Sequence, residues 1–517
     1  MTVMVSQIEY IGQIVRGEVT VIWILVALVL LAYLILPNPT YRTNVKVPTV
    51  RYLGGWIPDQ VDRLFFNTKA TSVIYDGYKQ YKKKAYKVLK ADGDLVVLST
   101  RYAEELRQLP ASTLNALEAT FTDHVGDYTT ILTDSHLHTE TIQKRLTPAI
   151  GRLIPRIISE LDHAYEVEFP ECDGKWVAIN PYEVFLRLVA RVGARVFIGE
   201  TLCRDEQWLK ASIDYTKNIF VTIALLRPVP GFLQPLVGRV LPSSRSLNHQ
   251  LAYIKNEFLG PLIEQRREME SSGDPKYEKP DDFLQWMMDL AKTEQESHPH
   301  NLAQRLLGIT SMAVVHTSAM SLTHILYDLL VMPQWLQPLR DEIQEVNPDW
   351  HSTTQAHLIG LKGMDSFLKE SQRFNPPGEL SFHRVVKHDL TLSDGLFLPK
   401  GTHICMAAGP ISRDADVMSD PDAFDAFRFV KENRPTSGFV STGVTNMHFG
   451  LGRYACPGRF FAAFVMKAIL SRFLADYDFR FAPDQKDRPK NMMIGDKIVP
   501  NVSTPIFIRK RTTSQPL

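Results

Sequence analysis

Between residues 140 and 330 apolar positions recur mostly at helical spacing, as at Ile157, Leu161 and Tyr165, and the run from Val184 to Ile198 is strongly apolar. Leu302 to Leu330 is apolar on every side through its middle, the pattern of a helix crossing a protein interior, and it ends before Pro333. Phe460 to Leu474 predicts another apolar helix. Strand patterns are short and few, at Asp94–Leu98 and Leu380–Val386, and Thr100 to Leu106 reads as a helix opened by a hydroxyl cap. Residues 68–90 set Tyr75, Tyr78, Tyr81 and Tyr86 among lysines, which predicts an amphipathic helix, either beside an anionic membrane face or simply solvated on its basic side. The segment 219–241 is greasy but broken by Pro228, Pro230 and Pro235, and 270–300, with Ser271, Ser272, Gly273, Pro275 and Pro280, reads as surface connections. The fold expected is mainly α with small β-sheets.

The amino end adds a separate element. Val19 to Leu36 carries no charge and stops at Pro37, so as a helix it is ~27 Å long against a hydrocarbon core of ~30 Å. Glu9 and Glu18 flank Arg16 before it and no small-residue cleavage site follows, so residues 1–36 are expected to hold an uncleaved anchor spanning 19–36. Pro37, Pro39 and Pro48 predict a tether over 37–50, and 51–517 is then the large domain, placed on the cytoplasmic side by Arg42, Lys46 and Arg51. A chain of 517 residues is long enough for two cores. A net charge of +1 argues against nucleic-acid binding, and four widely spaced cysteines exclude a disulfide framework and suit a reducing compartment.

Candidate chemistry concentrates at residues 449–461, Phe-Gly-Leu-Gly-Arg-Tyr-Ala-Cys-Pro-Gly-Arg-Phe-Phe. Two glycines permit a tight turn close to a flat ligand, and Cys456 stands just before a helix, whose free N–H groups favour a thiolate. A lone cysteine is more often a small buried hydrophobe; the fixed register of aromatic, glycines and cysteine outweighs that reading. The pattern resembles the haem-binding loop of the cytochrome P450 family, the haem-thiolate monooxygenases.

That resemblance implies haem b with Cys456 as axial iron ligand and Phe449 beside it. In the central helix, Ala313-Val314-Val315-His316-Thr317-Ser318 resembles the family's oxygen-activating stretch, with Val314 for the usual glycine and His316 for the usual acid. Thr317, with His316 as an outer relay, would then deliver protons; the bland readings are a back-bonded threonine and a satisfied structural histidine. Glu370-x-x-Arg373 and the downstream Arg428-Phe429 resemble the family's buried structural network. A basic residue on the strand after Leu380 binds a haem propionate in the family: Arg384 is nominated, His383 is the alternative, and Tyr454 replaces the family's usual arginine two residues before the cysteine. Lys144 and Arg145 imperfectly match an aromatic-and-arginine signature on an earlier helix. The family layout puts Ile309, Ala313, Leu380 and Ser381 at an apolar substrate pocket, and places 219–241 where a lid meets lipid, against the alternative of an ordinary proline-broken core segment.

The resemblance therefore implies the cytochrome P450 fold with an N-terminal transmembrane helix, in a single-pass protein of the endoplasmic reticulum membrane. The implied activity is oxidation of a lipophilic small molecule using dioxygen. The chain carries no nucleotide fingerprint or flavin domain, so electrons must come from a partner, an NADPH-cytochrome P450 reductase. The loop wording is most similar to filamentous-fungal members of secondary metabolism, which favours a terpenoid substrate over an alkaloid or polyketide. The rivals are a haem-thiolate isomerase or peroxide-driven enzyme, and a non-enzymatic haem electron carrier.

Overall fold

The computed structural model describes residues 43–511, apart from 132–134, 433 and 435, together with Ala27. The expected anchor at 19–36, Ala27 excepted, and the first part of the tether lie outside the described residues.

Thirteen strands form four small sheets among the described residues. The largest has the order β1 (Thr49–Val50), β2 (Tyr86–Lys90), β3 (Gly93–Leu98), β9 (His403–Met406), β6 (Ser381–Val386) and β4 (Leu114–Asn115). The chain joins this sheet at Thr49, so the tether expected to reach residue 50 ends inside the fold. A second sheet pairs β10 (Tyr477–Arg480), β13 (Ile506–Lys510) and β5 (Val177–Ile179); β7 (Leu390–Thr391) with β8 (Phe397–Leu398), and β11 (Met492–Ile494) with β12 (Lys497–Val499), are two-stranded.

The helices that matter to the site are α1 (Asp59–Tyr81), α2 (Ala116–Asp123), α3 (Thr147–Glu168), α4 (Pro181–Phe197), α5 (Glu206–Leu226), α6 (Gln234–Val240), α7 (Pro299–Val331), α8 (Lys362–Phe374) and α9 (Arg459–Asp476). Asn115, Asn180 and Asp205 cap α2, α4 and α5 by accepting hydrogen bonds from first-turn N–H groups, and Pro181 and Pro299 stand at first helical positions, where a missing N–H costs nothing. α3, α4, α7, α8 and α9 share one hydrophobic core, so the central helix is surrounded by other helices. Its stretch Ile309–His316 is π-helical, a wider turn inserted between two α-helical halves.

Three expectations change. The helix expected at 68–90 starts earlier and stops at Tyr81, and Tyr86 opens a strand instead. Its tyrosines are fastened to protein: the Tyr78 hydroxyl donates to Asp414 at 2.6 Å, and Tyr86 is buried. The supposed surface connection at 270–300 contains a core helix, Phe283–Leu290, in which Phe283, Leu284 and Met287 are fully buried; the polar residues flanking it disguised it. Finally, 219–241 is neither wholly core nor wholly lid. Leu226, Val229, Val237 and Leu241 make a small cluster of their own, while Phe220, Phe232, Leu236 and Val240 are exposed.

Candidate functional site

Cys456 lies between a one-turn 3-10 helix, Gly452–Tyr454, and the start of α9. Its backbone N–H donates to the Phe449 carbonyl at 2.7 Å, which closes the loop on itself. Gly450 and Gly452 have φ of 80° and 67°, and a Cβ on Gly450 would stand 3.2 Å from the Tyr454 carbonyl oxygen. Side chains at these two positions would force the loop open.

The sulfur's surroundings are informative. Cys172, Cys203 and Cys405 are buried, whereas Cys456 is exposed; yet burial pushes the Cys456 thiol up, as for a group deep in the protein. The thiol is thus accessible at short range and crowded by protein at longer range, as a sulfur set in a recess is. Backbone N–H groups of Gly458 and Arg459 and the Arg459 guanidinium act in the opposite sense and favour the thiolate. The Phe449 ring meets the buried Phe439 edge-on, with centroids 5.2 Å apart.

On α7 the same combination recurs. Ala313 and Thr317, one turn apart, are exposed on a helix whose neighbouring residues are largely buried, and Met312, Val314 and Met320 pack against the core that also borders Phe449 and Phe460. The Thr317 hydroxyl donates to the Ala313 carbonyl at 2.6 Å, and Ser321 donates to the Thr317 carbonyl at 3.0 Å. This is the back-bond of an ordinary helical threonine, on an accessible face.

His316 does not join that face. It is 2 % exposed, with Nδ1 3.0 Å from the Tyr182 hydroxyl of α4 and Nε2 3.0 Å from the Ile213 carbonyl of α5. Burial pushes its pKa down to about 4, so the ring is neutral near pH 7. Both nitrogens are committed to neighbouring helices, which corrects the expectation of an outer proton relay: His316 is a clamp between α7, α4 and α5.

Glu370, Arg373 and Arg428 meet. The fully buried Glu370 carboxylate accepts from Arg373 Nε and Nη2, both at 2.8 Å, from Arg428 Nε at 3.2 Å and from the Asp425 N–H at 3.0 Å. The remaining guanidinium donors go to main-chain carbonyls, including Ala423 from Arg373 and Ser419 and Ala423 from Arg428. The network fixes the segment 419–428 to α8.

Arg384 is buried, and no carboxylate pairs with it among the described residues. Its guanidinium lies between the rings of Phe382 and Tyr454, 4.2 and 4.7 Å from their centroids, and Nη1 donates to the His383 carbonyl at 2.7 Å. Burial without a counter-ion lowers its pKa to about 10. A buried cation lacking an acid suits a ligand that brings its own carboxylate, and this, with the recessed thiol and the glycine turn, is the donor set an iron porphyrin needs. His383 instead turns toward Asp123 and His403. Lys144 is exposed and pairs with Glu140 at 2.9 Å.

Of the four proposed pocket residues, Ala313 is accessible. Ile309 is buried in the main core, Leu380 packs with Val50, Phe66 and Tyr86 between sheet and α1, and the Ser381 hydroxyl donates to the Met447 carbonyl at 2.7 Å. Leu380 is thus packed between the sheet and α1, away from the pocket wall expected for it, while Ser381, partly exposed, ties β6 to the segment just before Phe449. Sequence reasoning also passed over His448, beside Phe449: both its ring nitrogens are buried without partners, and burial lowers its pKa to about 4. Adjacency to the loop was the only available signal.

Comparison with known proteins agrees with this geometry. The family profile for cytochrome P450 matches residues 109–505. The chain is 97 % identical over 517 residues, the whole of both chains, to cytochrome P450 monooxygenase penP of Penicillium crustosum, and 83 % identical over the same span to cytochrome P450 monooxygenase ptmP of Penicillium ochrochloron. It is 64 % identical over 515 residues, 99 % or more of each chain, to cytochrome P450 monooxygenase AtmP of Aspergillus flavus.

Proposed function

Since the chain belongs to the cytochrome P450 family and is a haem-dependent monooxygenase, we propose that it is a membrane-anchored enzyme of fungal secondary metabolism that hydroxylates or otherwise oxidises a lipophilic small molecule, a terpenoid by preference. The observation that carries this reading is Cys456, accessible to a ligand yet deep within the protein.

Haem b supplies dioxygen reduction and transfer of one oxygen atom to the substrate. The chain's own part is to hold and to aim. Cys456 would ligate the iron as thiolate, favoured by the N–H groups at the start of α9. Arg384, with Tyr454 beside it, would pair with a propionate. Thr317 presents a hydroxyl on the accessible α7 stripe; by exchanging its bond to the Ala313 carbonyl for one to ligand or water, it would hold a proton where oxygen is reduced. The apolar walls keep bulk water from competing.

Residues 19–36 supply the membrane anchor in this reading, and the exposed Phe232, Leu236 and Val240 of the α5–α6 region support a second contact with lipid. The large domain then faces the cytoplasm from the endoplasmic reticulum, where an NADPH-cytochrome P450 reductase donates electrons. The test is to reconstitute the full chain with that reductase in phospholipid vesicles and to follow NADPH, oxygen and products over a panel of terpenoids, alkaloids and polyketides. Product that requires NADPH and dioxygen supports the reading. Turnover without reductase, or with peroxide alone, would replace it with an isomerase or a peroxide-driven enzyme.

A further inference from the structure

Beside Arg384, three side chains converge that the proposed mechanism does not use. Asp123 ends α2, His383 sits on β6 and His403 begins β9. His383 Nδ1 is 3.2 Å from Asp123 Oδ2 and 3.3 Å from His403 Nε2, and His403 Nε2 is 3.7 Å from the same Asp123 oxygen. β6 reaches this geometry through a bulge: Phe382 has φ of 58°, and the pairing with β9 shifts register between Ser381 and Arg384. Beyond the bulge the strand alternates regularly, so Arg384 goes over Tyr454 while His383, on the face of Val385, meets His403.

We propose that Asp123, His383 and His403 form a binding site for one zinc ion, with water as the fourth ligand. The triangle of donor atoms has sides of 3.2, 3.3 and 3.7 Å, and the in-plane point equidistant from its corners lies ~2.0 Å from each, so an ion roughly half an ångström above that plane keeps the ~2.0–2.1 Å bonds of zinc to imidazole and carboxylate. Nitrogen and carboxylate donors at this separation are one face of a tetrahedron already assembled. The three side chains are mostly but not fully enclosed, which leaves an ion access.

Two features set the strength. Lys90 Nζ holds the other Asp123 oxygen at 2.7 Å, with Arg227 and Asp92 close by, and His383 Nε2 is buried without an acceptor. A nearby cation and a missing outer partner both weaken a site, the latter by about 10–100-fold, so binding is expected to be weaker than at a structural zinc site. Bound zinc would tie α2 to two strands of the large sheet. It would also fix the residue before Arg384, whose guanidinium bonds the His383 carbonyl.

The test uses the haem-loaded full chain with any affinity tag removed, stripped with chelator and titrated with zinc chloride by calorimetry. One zinc per chain is expected, undisturbed by millimolar magnesium, which prefers oxygen ligands. Asp123→Asn and His403→Gln should each weaken binding at least tenfold with the carbon-monoxide spectrum unchanged. Zinc X-ray absorption on the unmodified protein gives a check independent of the variants: two imidazoles and oxygen at ~2.0 Å support the site. Sulfur ligation, binding no tighter than in the variants, or less than one zinc per chain would overturn it.

Discussion

Glu370→Gln is the substitution whose cost can be worked most directly from the structure. The carboxylate is fully buried and neutralises two guanidiniums through three side-chain bonds, while holding the Asp425 N–H as well. Glutamine keeps the shape and one acceptor, but it turns an amide against Arg373 and leaves two buried cations without an anion. Breaking a buried pair by removing one partner costs ~3–5 kcal/mol. Unfolding entropy of ~2.1 cal/mol/K per residue gives ~1 kcal/mol/K for a chain of this size, so the thermal midpoint of the haem-loaded protein should fall by ~3–5 °C. Lys144→Gln, which breaks an exposed pair with Glu140, is the control and should cost ~0–1 kcal/mol. Adding Arg373→Met to Glu370→Gln removes one stranded cation and should recover part of the loss. The assay is the midpoint of Soret loss on heating, with haem content measured before heating. If Glu370→Gln melts no lower than Lys144→Gln, the network is not the stabilising element its geometry implies.

Further outcomes follow from the site. Cys456→Ser should abolish the thiolate signature of the reduced, carbon-monoxide-bound protein; a retained signature would remove Cys456 as the ligand. Thr317→Ala should divert electrons from product to hydrogen peroxide, whereas His316→Phe, altering a side chain held by α4 and α5, should leave product per NADPH nearly unchanged, and equal uncoupling in both would restore His316 to the proton path. His316 also contributes to acid sensitivity. Its pKa falls from ~6.5 unfolded to about 4 folded, so the unfolded chain binds the extra proton and stability drops as pH falls from ~6.5 to ~4, by ~3 kcal/mol in all. Denaturant midpoints across that window should be flatter for His316→Phe. Arg384→Ala should weaken haem retention, read as haem lost to apomyoglobin over time, while Arg384→Lys should recover part of it.

The parts legible in the sequence are those whose members lie close together or in fixed register. The Cys456 loop needs its glycines within a few residues, and Glu370 and Arg373 share one helical face at i, i+3. What stayed hidden depended on direction. Adjacent positions on α7 diverge, Thr317 to an accessible stripe and His316 to α4 and α5, and the π-helical stretch just before them shifts the phase that a 3.6-residue count would carry through. Leu380 stands just before β6 and Arg384 lies on it, but the bulge at Phe382 comes between them, so a period of 2 counted across the segment assigns their faces wrongly. Phe283–Leu290 was lost because eight residues between polar stretches are too few to show a period. Asp123, His383 and His403 are far apart in the chain, and only the sheet brings them together.

The central helix also bears on how the chain is made. Among the described residues α7 alone is long and apolar enough to cross a bilayer, and during synthesis it emerges before α8 and α9 exist to cover it. A spanning segment needs ~20 residues, and every window of that length within the 33 residues Pro299–Val331 includes 312–318. Polar groups at the middle of a span raise the cost of insertion, and their unmet hydrogen bonds add to it. The translocation machinery is thus offered one continuous candidate with an imidazole and a hydroxyl at its midpoint. The ring that folding later secures between Tyr182 and Ile213 is one that no membrane-length stretch of α7 can leave out.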